Sequence, residues 1–259
     1  MKLSIYCQQC HRQDLTESFF VEVNEKFFEG QDVTCPQEHN YFLYVNTPRY
    51  AFLFQQALEA FRSNFYFECF HTLYSGFEFY KKEFVEVVVF EKLKKVDTVQ
   101  TYCKTLNRSE QIDGAFKLAY IQKFGTNPSG LPRDLVELRN KVIHTGTIPS
   151  EKDCIKLGNA IFKIVIEINH LLHNEPNKVT KSSFTEIGFQ GMLAYNFQKF
   201  VSAMQAKGIE LSFENTNKYQ RITFALNPLS PNVYFKDSTE GLFQRLAAQN
   251  VNLLNMVQD

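Results

Sequence analysis

The chain has 259 residues, 28 basic and 28 acidic side chains and therefore no formal net charge, and 44% of it is hydrophobic. That length suits one large domain or two smaller ones with a sizeable core, and neutrality gives no general sign of a nucleic-acid binder while leaving a local basic face open. Trp is absent and Phe occurs 26 times, so aromatic packing falls to Phe and Tyr. The opening "MKLSIYCQQCHRQ" has no apolar stretch of the signal-peptide kind, and the longest apolar runs, such as "FVEVVVF" (84–90), are too short to span a bilayer. The expectation is a cytoplasmic protein with no membrane partner. Six cysteines in a reducing compartment point away from a disulfide framework.

The N-terminal 47 residues carry a metal-ligand spacing. Cys7 and Cys10 form C-x2-C, and Cys35 with His39 forms C-x3-H some two dozen residues later. Three thiolates and an imidazole make a closed tetrahedral site for structural Zn²⁺. His11, beside Cys10, competes with His39 for the fourth position. The stretch "SFFVEVNEKFFEGQDVT" reads as strands with a turn at "EGQD", and "NYFLYV" as another strand. The segment is expected to be a small zinc ribbon with each ligand pair on a knuckle between strands. A closed site leaves no open position for zinc chemistry.

Residues 48–175 change to helical periodicity. Phe54, Leu58, Phe61 and Phe65 form one apolar stripe, and Phe70, Leu73, Phe77, Tyr80 and Phe84 the next. Pro48 suits a helix start, and one kinked helix or two helices both satisfy the pattern. Residues 108–124 predict a helix capped by Ser109, with Phe116, Ala119, Tyr120 and Phe124 inward. After the loop "GTNPSGLP", the helix "RDLVELRNKVIH" buries Leu135, Leu138 and Val142 and stops at Gly146. Ser150 and Asp153 then open a helix over 151–173 that buries Leu157, Ile161, Ile164, Val165, Ile168 and Leu171. The sum is a bundle of four or five helices.

Arg139, Asn140 and His144 stand together on the "RDLVELRNKVIH" helix. Five residues on an ideal helix turn through about 140°, so Arg139 and His144 meet only if the last turn loosens or a second copy brings its own pair. Histidine in a last turn is also an ordinary helix end. The run Arg139-Asn140-Lys141-Val142-Ile143-His144, with "TGTIPSEKD" and a long apolar helix after it and "LYSGFEFYKKEF" upstream, resembles the HEPN superfamily, whose hallmark is R-x4–6-H. The resemblance covers roughly residues 50–175 and neither flank. It implies a HEPN-type helical bundle in a mainly α protein. Glu78 is its best match to the acidic or polar residue facing the motif.

The resemblance also implies function. Many HEPN proteins are metal-independent ribonucleases working as homodimers with two motifs across one cleft, some as toxins or anti-phage effectors; others are inactive binding modules. On that reading RNA is the substrate, and a protein partner restrains or triggers the activity. Imidazole exchanges protons near neutrality, so His144 would take the 2′-OH proton or protonate the leaving 5′-oxygen. Arg139 would hold the phosphate with its planar fork. Asn140 would orient His144 or bond a phosphate oxygen, or only cap locally. Glu78 would hold Arg139 or tune His144, or be a solvated side chain. Lys92, Lys94, Lys95, Lys104, Arg108, Lys117, Lys123, Arg133 and Lys141 make residues 91–145 locally basic.

His71 reads as a packed core histidine, His170 and His173 as helix-end residues, and Cys69, Cys103 and Cys154 as core or surface thiols. No phosphate-binding glycine loop or nucleophile-elbow motif is present in the sequence. Residues 176–259 are expected to form an α+β C-terminal extension. After a polar linker (174–183), "FQGMLAYNFQKFVSAMQAKG" reads as a helix stopped by Gly208. "IELSFE" and "YQRITFAL" read as a hairpin joined at "NTNK", and "NPLSPN" as a turn. "STEGLFQRLAAQNVNLLNMVQ" reads as a final helix capped by Ser238 or Thr239.

Overall fold

The computed structural model describes residues 1–15, 17–173, 187–225, 239–249 and 251–256. The chain is mainly helical, with a small N-terminal β region, and divides into two compact units. One is Met1–Thr47 with Asn196–Ala225 and Met256–Asp259; the other is Pro48–Tyr195 with Leu226–Asn255. The linker at 174–183 and the turn at 227–232 lie outside the described residues.

In the first unit, β1 (Lys2–Tyr6) pairs antiparallel with β2 (Ser18–Glu22), and β3 (Gln31–Thr34) with β4 (Asn40–Val45). A four-residue helix, α1 (Gln8–His11), follows β1, and α2 (Glu25–Glu29) separates β2 from β3. The strand-like pattern is interrupted there because the Asn24 side chain accepts a hydrogen bond from the Phe27 N–H at 3.3 Å and starts a helical turn. That turn puts the Phe27 ring fully inside. Gly30 then takes φ +93°, and a Cβ there would meet the Phe42 ring at 2.3 Å.

The expected hairpin of 209–214 with 219–226 does not form. β5 (Tyr219–Ile222) lies parallel to β4, with Phe42 opposite Tyr219 and Val45 opposite Ile222. A parallel neighbour needs a long crossover, which the intervening chain supplies. Ile209 and Leu211 instead pack against Phe42, Tyr44, Phe200 and Met204, while Phe213 is 96% exposed. Phe200 and Met204 lie on α9 (Ile187–Ala206), which ends before Gly208 at φ +66°.

The second unit opens with α3 (Arg49–Arg62) and α4 (Tyr66–Leu93). The two stripes are separate helices because Asn64 takes a left-handed conformation, φ 62°, between them. α5 (Val96–Lys104) fills a stretch where the sequence reading placed no element. α6 (Ser109–Phe124), α7 (Arg133–Thr145) and α8 (Glu151–His173) follow, and Gly125 and Gly146 end α6 and α7 in the left-handed region. Ser150 and Asp153 satisfy each other at the start of α8. Ser109 is not the cap of α6: the Gln111 carboxamide accepts from the Asn107 and Arg108 N–H groups. Most expected core positions are buried, but Phe65 and Leu171 are 60% and 39% exposed. Both fall at helix ends, where the periodic stripe runs past its neighbours.

The final helix is shorter than expected. α10 (Leu242–Ala248) starts after Gly241, with Thr239 in the preceding turn and Ser238 outside the described residues. Arg62 terminates it by donating to the carbonyls of Leu246, Ala247 and Val251 at 2.7–3.1 Å. Phe243 anchors α10. Its fully buried ring lies 5.3 Å from Phe61 and 5.6 Å from Phe162, both edge-on, over Gly158. Phe243→Ala is expected to destabilise this unit by about 3–5 kcal/mol, read from the midpoint of denaturant unfolding.

Candidate functional site

Among the described residues, two clusters gather polar and ligating side chains. The first lies in the N-terminal unit. β1 ends at Tyr6, so Cys7 and Cys10 fall on the first knuckle, and the β3–β4 turn carries Cys35 and His39. Their four ligand atoms all lie within 4.8 Å of one another. His39 Nδ1 is 3.7, 3.3 and 3.5 Å from the sulfurs of Cys7, Cys10 and Cys35, and the Cys10 and Cys35 sulfurs are 3.6 Å apart. A tetrahedron with metal–sulfur bonds of about 2.3 Å and a metal–nitrogen bond of about 2.0–2.1 Å has edges of roughly 3.5–3.8 Å. The four side chains are therefore close enough to hold a metal ion. His39, not His11, completes the set.

The local electrostatics fit a cation. Burial and the neighbouring Cys35 and Cys7 thiols push the Cys10 pKa up to about 12. Burial opposes ionisation of Cys35 too, but hydrogen bonds from the His39 and Gln37 backbone bring its pKa below the ordinary value. Thiolates this close repel unless a positive ion lies between them, and a bound metal reverses that penalty. Among the described residues the buried Tyr41 hydroxyl has no hydrogen-bond partner, and burial, then the nearby cysteines, raise its pKa. A metal-bound thiolate is a stronger acceptor than a neutral thiol and suits such a hydroxyl.

A residue from far along the chain supports this site. The Gln220 side chain accepts from the Gln8 N–H at 3.0 Å and donates to the Tyr6 carbonyl at 2.8 Å, so it grips the backbone on both sides of Cys7. Gln9 donates to the Asn217 carbonyl at 2.7 Å. Sequence reading missed Gln220, since nothing local connects a β5 glutamine with a cysteine knuckle.

The second cluster is on the helical unit. Tyr74, Glu78 and Lys81 recur on α4 at helical spacing and share one face. Glu78 and Arg139 form an ion pair at 3.5 Å. Arg139 Nη2 donates to Ser109 Oγ at 2.6 Å, and Ser109 Oγ donates to Glu78 Oε1 at 2.5 Å. Arg139 Nη1 donates to Asn140 Oδ1 at 3.0 Å, and the guanidinium lies 4.6 Å over the Tyr74 ring. Burial pushes the Tyr74 phenol up to about 12, with the Arg139 charge working against it. Lys81 pairs with Asp113 beside the Phe77 ring and balances the seam. Tyr74 was not singled out in the sequence, and Ser109 was read there only as a helix cap; the polar spacing within the apolar α4 pattern is the signal that marks Tyr74.

His144 is not in this cluster. It is exposed in the last turn of α7, and among the described residues no hydrogen bond or ion pair engages it. His71 is exposed rather than packed in the core, with its ring parallel to Phe67 at 6.5 Å. His170 is half-buried, and the His173 side chain lies outside the described residues. Cys69, Cys103 and Cys154 are all buried thiols. Of the expected basic stretch, Lys123 is held by Glu91 and Arg133 by Glu137; Lys92, Lys94, Lys95, Lys104, Arg108, Lys117 and Lys141 are exposed. A cavity of about 20 Å³ between Tyr50, Tyr80, Glu83 and Asn169 has room for a water, not a nucleotide.

Comparison of the chain with protein-family models, with curated proteins and with solved structures finds no match. Among the described residues, no helix is long and apolar enough to cross a membrane.

Elemental analysis of the purified chain should find one divalent metal ion per molecule. Cys35→Ala should lose it, together with hydrogen-exchange protection of the β1–β4 amides. Gln220→Ala should retain the metal with affinity lowered roughly 10- to 100-fold in a chelator competition, as expected when a group that orients a ligand is removed.

Proposed function

We propose that the chain is a metal-independent endoribonuclease of HEPN type, with Arg139 and His144 as its reacting pair and a structural Zn²⁺ in the Cys7, Cys10, Cys35 and His39 site. The observation that carries this reading is the fixed orientation of Arg139. Ser109, Glu78, Asn140 and Tyr74 hold its guanidinium, while an unengaged imidazole stands at the end of the same helix. A guanidinium held in one plane suits a phosphate and the charge that builds on it during in-line attack.

The RNA 2′-oxygen attacks the adjacent phosphorus, the bond to the 5′-oxygen breaks, and a 2′,3′-cyclic phosphate and a 5′-hydroxyl result. One imidazole takes the 2′-OH proton and an imidazolium protonates the leaving oxygen. Arg139 and His144 of one chain point apart by about 140°, so a homodimer through the helical unit supplies the two histidines. The zinc shapes the N-terminal unit and takes no part in the reaction. Exposed lysines on α5–α7 attract the RNA backbone, and regulation by a protein partner fits a cytoplasmic toxin or anti-phage effector. A second reading, an inactive module that binds nucleic acid or protein, draws on one fact: the Arg139 side chain is only 14% exposed.

The test is cleavage of labelled total RNA and tRNA in EDTA, with the tightly bound metal content checked. Wild type should cut and leave cyclic-phosphate ends. His144→Ala should lose activity by roughly 10²- to 10⁴-fold with fold and dimer intact. Equal activity in the two proteins, or equal cutting of DNA, would sink the reading.

A further inference from the structure

We infer that Ser109 is a positioning residue for Arg139, holding its fork at the angle that the scissile phosphate requires; this rests on the ribonuclease reading above. A serine hydroxyl has one proton to give. That proton goes to Glu78 Oε1, which accepts it at 2.5 Å. The lone pairs of the same oxygen then face Arg139, which donates from Nη2 at 2.6 Å. The direct Arg139–Glu78 contact is longer, at 3.5 Å. The hydroxyl, not the carboxylate, is thus the group that fixes Nη2, and Glu78 acts by fixing the hydroxyl.

This order has a chemical consequence. A carboxylate gripping arginine directly makes a bidentate pair that uses two donors and competes with phosphate for the same fork. With Ser109 between them, Glu78 orients the guanidinium through a single donor. The plane is then set by three independent contacts: Ser109 on Nη2, Asn140 on Nη1 and the Tyr74 ring beneath. Among the described residues the buried Nε has no hydrogen-bond partner, so these three contacts are the ones that orient the plane there. The capping of α6 by Gln111 leaves the Ser109 hydroxyl free for this task even though it stands at a helix start. A misdirected clamp lowers the rate of the chemical step far more than it lowers binding.

The experiment compares wild type, Ser109→Ala and Ser109→Thr, as full-length metal-loaded protein, in two readouts. The first is the ¹⁵N spectrum of the Arg139 side chain, assigned with Arg139→Lys, in which restricted guanidinium rotation gives separate, persistent Nη signals. The second is kcat and KM for RNA cleavage. Ser109→Ala is expected to lose the separate Nη signals and to lower kcat by roughly 10- to 100-fold, the scale of one charge-assisted hydrogen bond, with KM changed less than about twofold. Ser109→Thr, which keeps the hydroxyl, should restore both. Unchanged Nη signals in Ser109→Ala would overturn the inference, as would a fall in kcat that Ser109→Thr does not rescue. Absence of cleavage by wild type would defeat the ribonuclease reading and the catalytic role with it. Loss of the Nη signals in Ser109→Ala would still establish the hydroxyl as the holder of the fork.

Discussion

Helix α4 sets the constraint on which the helical unit depends. It is 28 residues long and buries Phe70, Leu73, Phe77, Tyr80, Phe84 and Val88 on its apolar side. Each such side chain stabilises the fold by about 1.5–3 kcal/mol on burial, so the packing of its neighbours is strongly determined. The same packing buries Tyr74 and Lys81 and half-buries Glu78 between them, and a buried charge without a partner is costly. Ser109 and Asp113 on α6 and Arg139 on α7 supply those partners. The arrangement of α6 and α7 against α4 is therefore an electrostatic match as well as an apolar one, and Arg139 inherits its orientation from it.

The N-terminal unit solves a different problem. Its first 47 residues have little apolar surface for independent folding, and Cys7, Cys10, Cys35 and His39 are close enough to hold a metal ion, which would contribute folding free energy directly. The strands around the cluster also need covering. β5 and the second half of α9 provide this, with Phe200 and Met204 packed on Phe42 and Tyr44, and with Gln220 bonded to the backbone either side of Cys7. Gln220, far along the chain, is thus part of the environment of the Cys7, Cys10, Cys35 and His39 cluster.

Motifs that depend on local spacing were legible in the sequence. C-x2-C and C-x3-H bring Cys7, Cys10, Cys35 and His39 close enough to hold a metal ion because each pair occupies one tight turn. The stops at Gly125, Gly146 and Gly208 follow from left-handed backbone that glycine adopts without strain. The α8 start follows from two side chains that cap their own helix. Where the local signal was ambiguous, the reading slipped. Alternation in 209–214 comes from two apolar anchors on a helical partner, not from a strand. The Ser109 hydroxyl looked like a cap because serine at a helix start usually is one, but Gln111 performs that task.

By itself the sequence determined the three cysteines Cys7, Cys10 and Cys35 with His11 or His39 as the fourth candidate, which the structure resolves to His39, the helical periodicity of residues 48–173, and the placement of Arg139, Asn140 and His144 on one helix. These are properties of residues close in the chain, where helix and turn geometry dictate what meets. Only the tertiary structure decided that β5 pairs parallel with β4, that Gln220 braces the cysteine knuckle, and that Ser109 stands between Glu78 and Arg139. Those contacts join residues 30 or more positions apart. They arise from burying apolar faces against one another, which brings polar groups together that no local pattern relates.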